Sequence, residues 1–426
     1  MIVVMGYGRS GRSAAAQLSR MGVRAAVTDS RELPDAPRYP GLRYALGAHP
    51  EDLLDGASLV IVSPGIPWEH PFLEAARSRG IATTSEVEWA GQQVKGTMIG
   101  VTGSNGKSTV TRMVRDILIA ADHPAAEAAN TGDALSNHIG DAAHTHFVLE
   151  LSTFQLEGMS LPLLHAGILL NITPDHLDRH PSLEAYAALK RHIFDLLLPG
   201  GTAVAPQGLE TGAPALTFGP GPGADLTVEP GRLLYRGVMV LDRTAFPLPG
   251  EHNWSNAAAA ALTALAMKVP IQAVRAALEA FRGLEHRMEP VPSADGIRYI
   301  NDSKGTNVDS VAAALTGVPA GRTVLILGGR DKHGAFNLLR DPAERICKTV
   351  FCIGEAGPLI AEQLKGIGAP VKIVADLEAV FAILPGAAAA GDTVLLSPGC
   401  ASFDQYANFE ERGRHFKALV GRCRAN

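Results

Sequence analysis

The chain has 426 residues, more than one hydrophobic core usually organises, so two or three domains are expected. Its 46% hydrophobic and 19% charged residues suit a folded globular protein, and a formal charge of -5 without a basic run excludes binding driven by a nucleic-acid backbone. Four cysteines lack CxxC spacing, so neither structural zinc nor a disulfide framework is expected and reduced thiols fit best.

The opening run "MIVVMGYG" carries no basic region ahead of a cleavable apolar stretch, and no segment reaches about 18 uninterrupted apolar residues. A cytoplasmic protein with no membrane insertion is the expectation. Short β-branched runs then alternate with helical patterns, the signature of parallel sheets with crossover helices, and the alternation restarts three times. The first series is "IVVMGYGRSG", a helix from about Arg12 to Met21, and strands in "AAVTDS" and "SLVIVSPG". The second is "TMIGVTGSNGKST" with its helix, then "HFVLELS" and "AGILLNIT". Between Gln207 and Pro249 the chain turns rich in Gly and Pro, which predicts a small antiparallel excursion. The third series runs through "IRYINDS", "RTVLILGG", "TVFCIG", "VKIVA" and "DTVLLSPG", and the alanine tract Ala387 to Ala390 reads as helix. Seams fall near Gln92 to Gly96 and near Gly283 to His286.

"GVTGSNGKST" carries the sharpest chemistry. A standard phosphate loop has glycine six residues before its lysine, where this chain has Val101, yet Lys107 and Ser108 keep the ammonium for phosphates and the hydroxyl for magnesium. Gly103 and Gly106 let backbone N–H groups turn inward, and a helix beginning near Lys107 offers its positive end. Alone, the loop predicts binding of a nucleoside triphosphate. "GYGRSG" fits GxGxxG, with Asp29 ending the next strand; a dinucleotide or a nucleotide sugar satisfies it equally. Glu150 ends an apolar strand, and His176 follows another with Asp175, Asp178 and Arg179 beside it. Both could neighbour magnesium, or Glu150 could start a helix and His176 could anchor a turn.

Taken in order, "GVTGSNGKST", "LELSTFQLE", "NITPDHLDRH", "GEHNWSNAAAA", "LEHRME", "INDSKGTNVDS", "LILGGRDK" and "LLSPGCASFDQYANFEERG" resemble the motifs of the Mur ligases from residue 1 to about residue 420. The likeness is greatest to the branch that adds D-glutamate to UDP-N-acetylmuramoyl-L-alanine in peptidoglycan precursor synthesis. It implies a three-domain α/β fold: a Rossmann-like UDP-sugar domain over 1–94, a P-loop ATPase domain over 95–284 and a Rossmann-like glutamate domain over 285–426. The short form of the phosphate loop belongs to that family. The implied reaction is ATP-dependent amide formation through an acyl phosphate, by a monomer with two magnesium sites.

The resemblance also implies roles for individual residues. Gly103, Asn105, Gly106, Lys107, Ser108 and Thr109 would cradle ATP, joined by Asn253, Asn256, Arg287 and Asp302. Ser108 and Glu150 would hold one magnesium; His176 and Lys190, the latter as a carbamate, would hold the second. From the residues alone Lys190 reads as a solvated helix lysine, and the two asparagines equally as helix caps. Ser10, Asp29, Ser30, Arg31, Ser63, Pro64 and Gly65 match the UDP region; Asn130, Thr131 and Gln155 would approach the muramoyl part, although "ANTG" departs from the usual "GNIG" turn. Lys304, Thr306, Lys332 and Ser402, with Phe403 and Phe409 shaping the pocket, would receive glutamate. The rival ligase is a folylpolyglutamate synthase type, which would lack the "GYGRSG" domain. A nicotinamide dehydrogenase would leave Lys107, Glu150 and His176 without a use.

Overall fold

The computed structural model describes residues 1–174, 180, 182–293, 296–331 and 334–423. His176, with Asp175, Asp178 and Arg179, and Lys332 lie outside the described residues. Two units result: one spans most of residues 1–281, and the other holds residues 282 onward with two short segments, 173–183 and 248–253. The first unit carries two sheets and the second carries one, so the three openings in the sequence correspond to three α/β domains.

In the N-terminal sheet, β1 (Ile2–Met5), β2 (Ala25–Asp29), β3 (Leu42–Leu46), β4 (Leu59–Val62) and β5 (Ala82–Ser85) are all parallel in the order β3-β2-β1-β4-β5. The order reverses between β1 and β4, where an α/β sheet opens a crevice at its carboxyl edge. Gly6 sits there at φ +89°, and a Cβ on Gly11 would stand 1.9 Å from the Gly6 carbonyl, so the GxGxxG glycines permit the helix Arg9–Arg20 to lie against the strand.

The central sheet holds β6 (Thr97–Thr102), β7 (Ala125–Ala129), β8 (His146–Glu150), β9 (Leu164–Leu169), β10 (Leu197–Pro206), β11 (Leu216–Gly219), β12 (Leu226–Val228), β13 (Arg232–Tyr235) and β14 (Val238–Asp242). Their order is β14-β13-β12-β11-β10-β9-β6-β8-β7. The expected antiparallel excursion is confined to β12, β13 and β14; β10, β11 and β12 pair in parallel and extend the main sheet. β6 lies between β8 and β9, so its carboxyl end meets the ends of both neighbours.

The two domains of the first unit share buried polar contacts. Ser13 Oγ lies 2.6 Å from Ser136 Oγ, Gln17 Nε2 donates to the Ile139 carbonyl at 2.8 Å, and Glu88 accepts the Leu161 N–H at 2.7 Å. Glu86 is fully enclosed and accepts the Ser136 N–H at 2.7 Å. Burial pushes its carboxyl up, against the opposing bond from Ser136.

In the second unit, β15 (Glu289–Val291), β16 (Arg298–Asn301), β17 (Thr323–Gly328), β18 (Cys347–Ile353), β19 (Val371–Ile373) and β20 (Thr393–Leu396) are ordered β15-β16-β20-β17-β18-β19, parallel except for β15. The tract Ala387 to Ala390 is not helix. A short 3-10 turn ends at Gly386, and the Ala387 and Ala388 N–H groups close onto the Leu384 carbonyl. Pro385 and Gly386 cut the run short despite alanine's helix propensity. The four cysteines are free thiols, and burial pushes Cys347 and Cys352 up to about 12, which leaves both inert at neutral pH. Among the described residues no helix is long and apolar enough to cross a membrane.

Candidate active site

Val101 is the penultimate residue of β6 and is completely buried, so it belongs to the strand and the loop proper is Gly103 to Gly106. Gly103 has φ +154° and Gly106 φ +89°, and a Cβ on Gly106 would stand 2.5 Å from Asn256 Oδ1. Both positions thus need glycine, for conformation and for space. Asn171 fastens the loop from just beyond β9: its Oδ1 accepts the Asn105 N–H at 2.9 Å and its Nδ2 donates to the Asn105 carbonyl at 3.0 Å. Sequence reasoning missed Asn171, although it stands inside the "NITPDHLDRH" motif.

The helix Lys107–Ala120 starts directly after Gly106, which aims its free N–H groups and positive end along the loop. Lys107 Nζ donates to the Gly103 carbonyl at 2.7 Å and the Ser104 carbonyl at 2.9 Å, so its ammonium lies over the turn. Ser108 Oγ donates to Glu150 Oε2 at 2.5 Å. The carboxylate ends β8, only 2% exposed, and does not begin a helix. Its other oxygen accepts Asn130 Nδ2 at 2.8 Å. Ala129, at φ +74°, turns the chain so that Asn130 faces Glu150. The neighbouring Thr131 hydroxyl is buried with no partner among the described residues. Gln155 accepts from the Ser152 N–H and hydroxyl at 3.0 Å, closing a capping box on its own helix.

Lys190 is not a solvated lysine. It is 1% exposed, on the helix Leu183–Arg191, with Nζ 4.4 Å from the centre of the Tyr186 ring. The Tyr186 hydroxyl lies 3.1 Å from Ser104 Oγ, which joins this helix to the nucleotide loop. Asn253 and Asn256 stand inside the helix Glu251–Ala266 and are not its caps: Asn253 Nδ2 donates to the Pro249 carbonyl at 2.7 Å, and Asn256 lies against Gly106.

At the N-terminal crevice Asp29 is fully engaged. It accepts the Tyr7 N–H at 2.6 Å and both Nε and Nη2 of Arg31 at 2.9 Å. Burial pushes its carboxyl up, but the bonds from Arg31 and Tyr7 outweigh this and hold it well below the usual range. Its visible role is to fix the GxG turn, with Arg31 left 63% exposed at the edge. Ser63 Oγ donates to the Gly6 carbonyl at 2.8 Å; Ser10 is the second residue of the first helix, while Ser30 and Gly65 are exposed.

In the second unit Asp302 is buried, and burial pushes its carboxyl up, with Arg287 at 3.9 Å opposing. Ser397 Oγ donates to it at 2.8 Å and the Met288 N–H at 3.1 Å. Lys304 Nζ lies 5.4 Å from the Phe409 ring centre; Thr306 is half-buried, Ser402 buried, and Phe403 62% exposed. Arg412 went unnoticed in the sequence, although it stands in "NFEERG". It donates to Ser303 Oγ at 3.0 Å, the Ser303 carbonyl at 2.9 Å and the Cys400 carbonyl at 3.1 Å, so it ties "NDSKG" to "PGCAS". Burial lowers its guanidinium to about 10.

Hydroxyl and carboxylate oxygens at Ser108 and Glu150 are hard donors beside a phosphate-type loop, which fits magnesium. The arrangement can hold a polyphosphate and neutralise it.

Family profiles match in three places: the MurD-like N-terminal domain of Mur ligases over residues 1–85, the Mur ligase middle domain over 101–264, and the Mur ligase glutamate ligase domain over 286–400. The chain is 39% identical to "UDP-N-acetylmuramoylalanine--D-glutamate ligase" of Anaeromyxobacter dehalogenans, covering 98% of this chain and 97% of that one. It is 36% identical to the protein of the same name from Solibacter usitatus, with the same coverage. The solved MurF ligase of Thermotoga maritima in complex with ADP shares the fold, with a TM-score of 0.62 at 17% identity over 99% of this chain and 95% of that one. With all three of its domains matched in order, the chain belongs to the Mur ligase family, on its MurD-like branch.

Proposed function

We infer that the chain is an ATP-dependent ligase that adds D-glutamate to UDP-N-acetylmuramoyl-L-alanine, releasing ADP and phosphate, in peptidoglycan precursor synthesis. The observation that carries this reading is the meeting of Ser108 and Glu150 at the nucleotide loop, in a chain that its D-glutamate ligase relatives match almost end to end.

The alanyl carboxylate oxygen attacks the γ-phosphorus, the bond to the ADP oxygen breaks, and an acyl phosphate forms. The glutamate amine then attacks the acyl carbon, loses its proton, and phosphate leaves from the tetrahedral intermediate. Both steps gather negative charge, so preorganised cations and N–H groups supply most of the rate enhancement. Lys107 and the N–H groups after Gly106 serve the β and γ phosphates. Ser108 and Glu150 would hold magnesium, which when bound neutralises phosphate oxygens, and Asn130 orients that carboxylate. Asn256, against the loop, supports the nucleotide side. Arg287 and Asp302 would join it from the C-terminal domain, and Lys304, Thr306 and Ser402 would receive glutamate. Lys190 as a carbamate and His176 remain the proposed second magnesium site; the burial of Lys190 beside Tyr186 supports a role other than a surface charge. Lys332 in the glutamate pocket, domain boundaries at 94 and 284, a cytoplasmic location and a monomeric state belong to the same proposal.

The deciding experiment is phosphate release from ATP and magnesium with UDP-N-acetylmuramoyl-L-alanine and either D-glutamate, L-glutamate or no amino acid. Release with D-glutamate alone is expected. Release with L-glutamate alone would keep the mechanism and overturn the product, and release with neither would overturn the reading.

A further inference from the structure

The segment between β7 and β8 brings two histidines and two aspartates together away from the nucleotide loop's own ligands. His138 Nδ1 and His144 Nδ1 both lie against Asp141 Oδ2, at 3.0 and 2.7 Å, and His138 Nε2 lies 3.0 Å from Asp133 Oδ2. One ligating atom from each of His138, Asp141 and His144 lies within 4.8 Å of the other two. Ligands bound at about 2.0–2.1 Å to a tetrahedral ion stand about 3.3 Å from each other, so small side-chain adjustments would admit one.

The proton inventory points the same way. A neutral imidazole donates from one nitrogen only, yet His138 faces a carboxylate at both. A divalent ion between the two Nδ1 atoms and Asp141 would leave His138 Nε2–H donating to Asp133, the carboxylate support that metal-bound histidines commonly have. The Asp141 carboxylate is itself held in place, because its Oδ1 accepts the Ala143 N–H at 2.7 Å. The His138 and His144 rings also flank Phe147, at 5.3 and 6.4 Å between centres. His144 is 36% exposed, so one side stays open for water as a fourth ligand.

We propose that His138, Asp141 and His144, with Asp133 behind His138, form a binding site for a zinc-class divalent transition ion, distinct from the magnesium site at Ser108 and Glu150. Imidazole nitrogens favour such ions over magnesium. The other comparable trio among the described residues, Glu285, His286 and Glu289, is unsuited because the Lys417 ammonium already bridges its two glutamates.

The test uses the full chain, stripped with a chelator and then held in excess magnesium and a non-hydrolysable ATP analogue so that oxygen sites are filled. Zn2+ is titrated by calorimetry and Co2+ by visible absorbance. A single saturable Zn2+ equivalent and tetrahedral Co2+ bands are expected, unchanged in Ser108→Ala. Both should be lost in His144→Ala, and the affinity should fall about tenfold or more in Asp133→Asn. Circular dichroism confirms that the variants fold, and His144→Gln repeats the measurement with a side chain of closer size. Absence of saturable Zn2+ binding, or stoichiometry and spectrum unchanged in both His144 variants, would overturn the proposal.

Discussion

The Lys190 ammonium sits 4.4 Å from the centre of the Tyr186 ring, and the Tyr186 hydroxyl reaches Ser104 in the nucleotide loop at 3.1 Å. A buried lysine joined through Tyr186 to a phosphate cradle stands where its charge can serve phosphate chemistry. Lys190→Met should retain the fold, because the stem it replaces is similar in length, while phosphate release falls by about 100-fold or more. Activity in the parent should respond to added bicarbonate and activity in the variant should not. Retention of half the rate would remove Lys190 from the proposed site.

Glu150→Gln keeps the size of the side chain and one acceptor, a carbonyl oxygen for Asn130, while its NH2 can face the Ser108 oxygen, but it loses the charge that magnesium requires. The turnover number should drop by about 100- to 1,000-fold, with little change in melting temperature. Steady-state phosphate release over a magnesium series checks this, and partial recovery at high magnesium would identify the lost group as a metal ligand.

Gly106→Ala should abolish measurable nucleotide binding. The left-handed conformation opposes any Cβ, and the added atom would collide with Asn256 Oδ1. Displacement of a fluorescent ATP analogue provides the measurement; binding within about threefold of the parent would show that the loop is less tightly specified than its contacts indicate.

Glu86 gives a pH signature. Burial raises its carboxyl above the ordinary 4.5, and Oε2 has no hydrogen-bond partner among the described residues. A raised folded value means that its stabilising contribution is present below the unfolded value and is lost as pH rises through the folded one. Glu86→Gln cannot ionise, so its stability relative to the parent should improve as pH rises above about 4.5. Urea midpoints at several pH values would test it, and a difference that stays constant with pH would refute the assignment.

The strands with continuous apolar runs were legible because parallel strands are buried on both faces. β3 and β5 were not, since "LRYAL" and "ATTS" stand at the edges of the N-terminal sheet and carry polar residues. Ser108 and Glu150 could be paired from their motifs, each beyond or at a strand's carboxyl end. Asn171 and Arg412 could not, because what they hold is set by segments 66 and 109 residues away. Asp29 was placed correctly at its strand end, but only the structure reveals that Arg31 takes up its charge.

The run from Ala129 to Ile139 supplies Asn130 to Glu150 and Ser136 and Ile139 to the N-terminal domain. Backbone amides along it should therefore exchange with deuterium in a single cooperative opening, together with those around Ser13 and Gln17, and not as separate loops. Loosening the Ser13 contact would then be felt as faster exchange at Asn130, so the docking of the first domain and the aim of the Glu150 carboxylate would respond to the same perturbation.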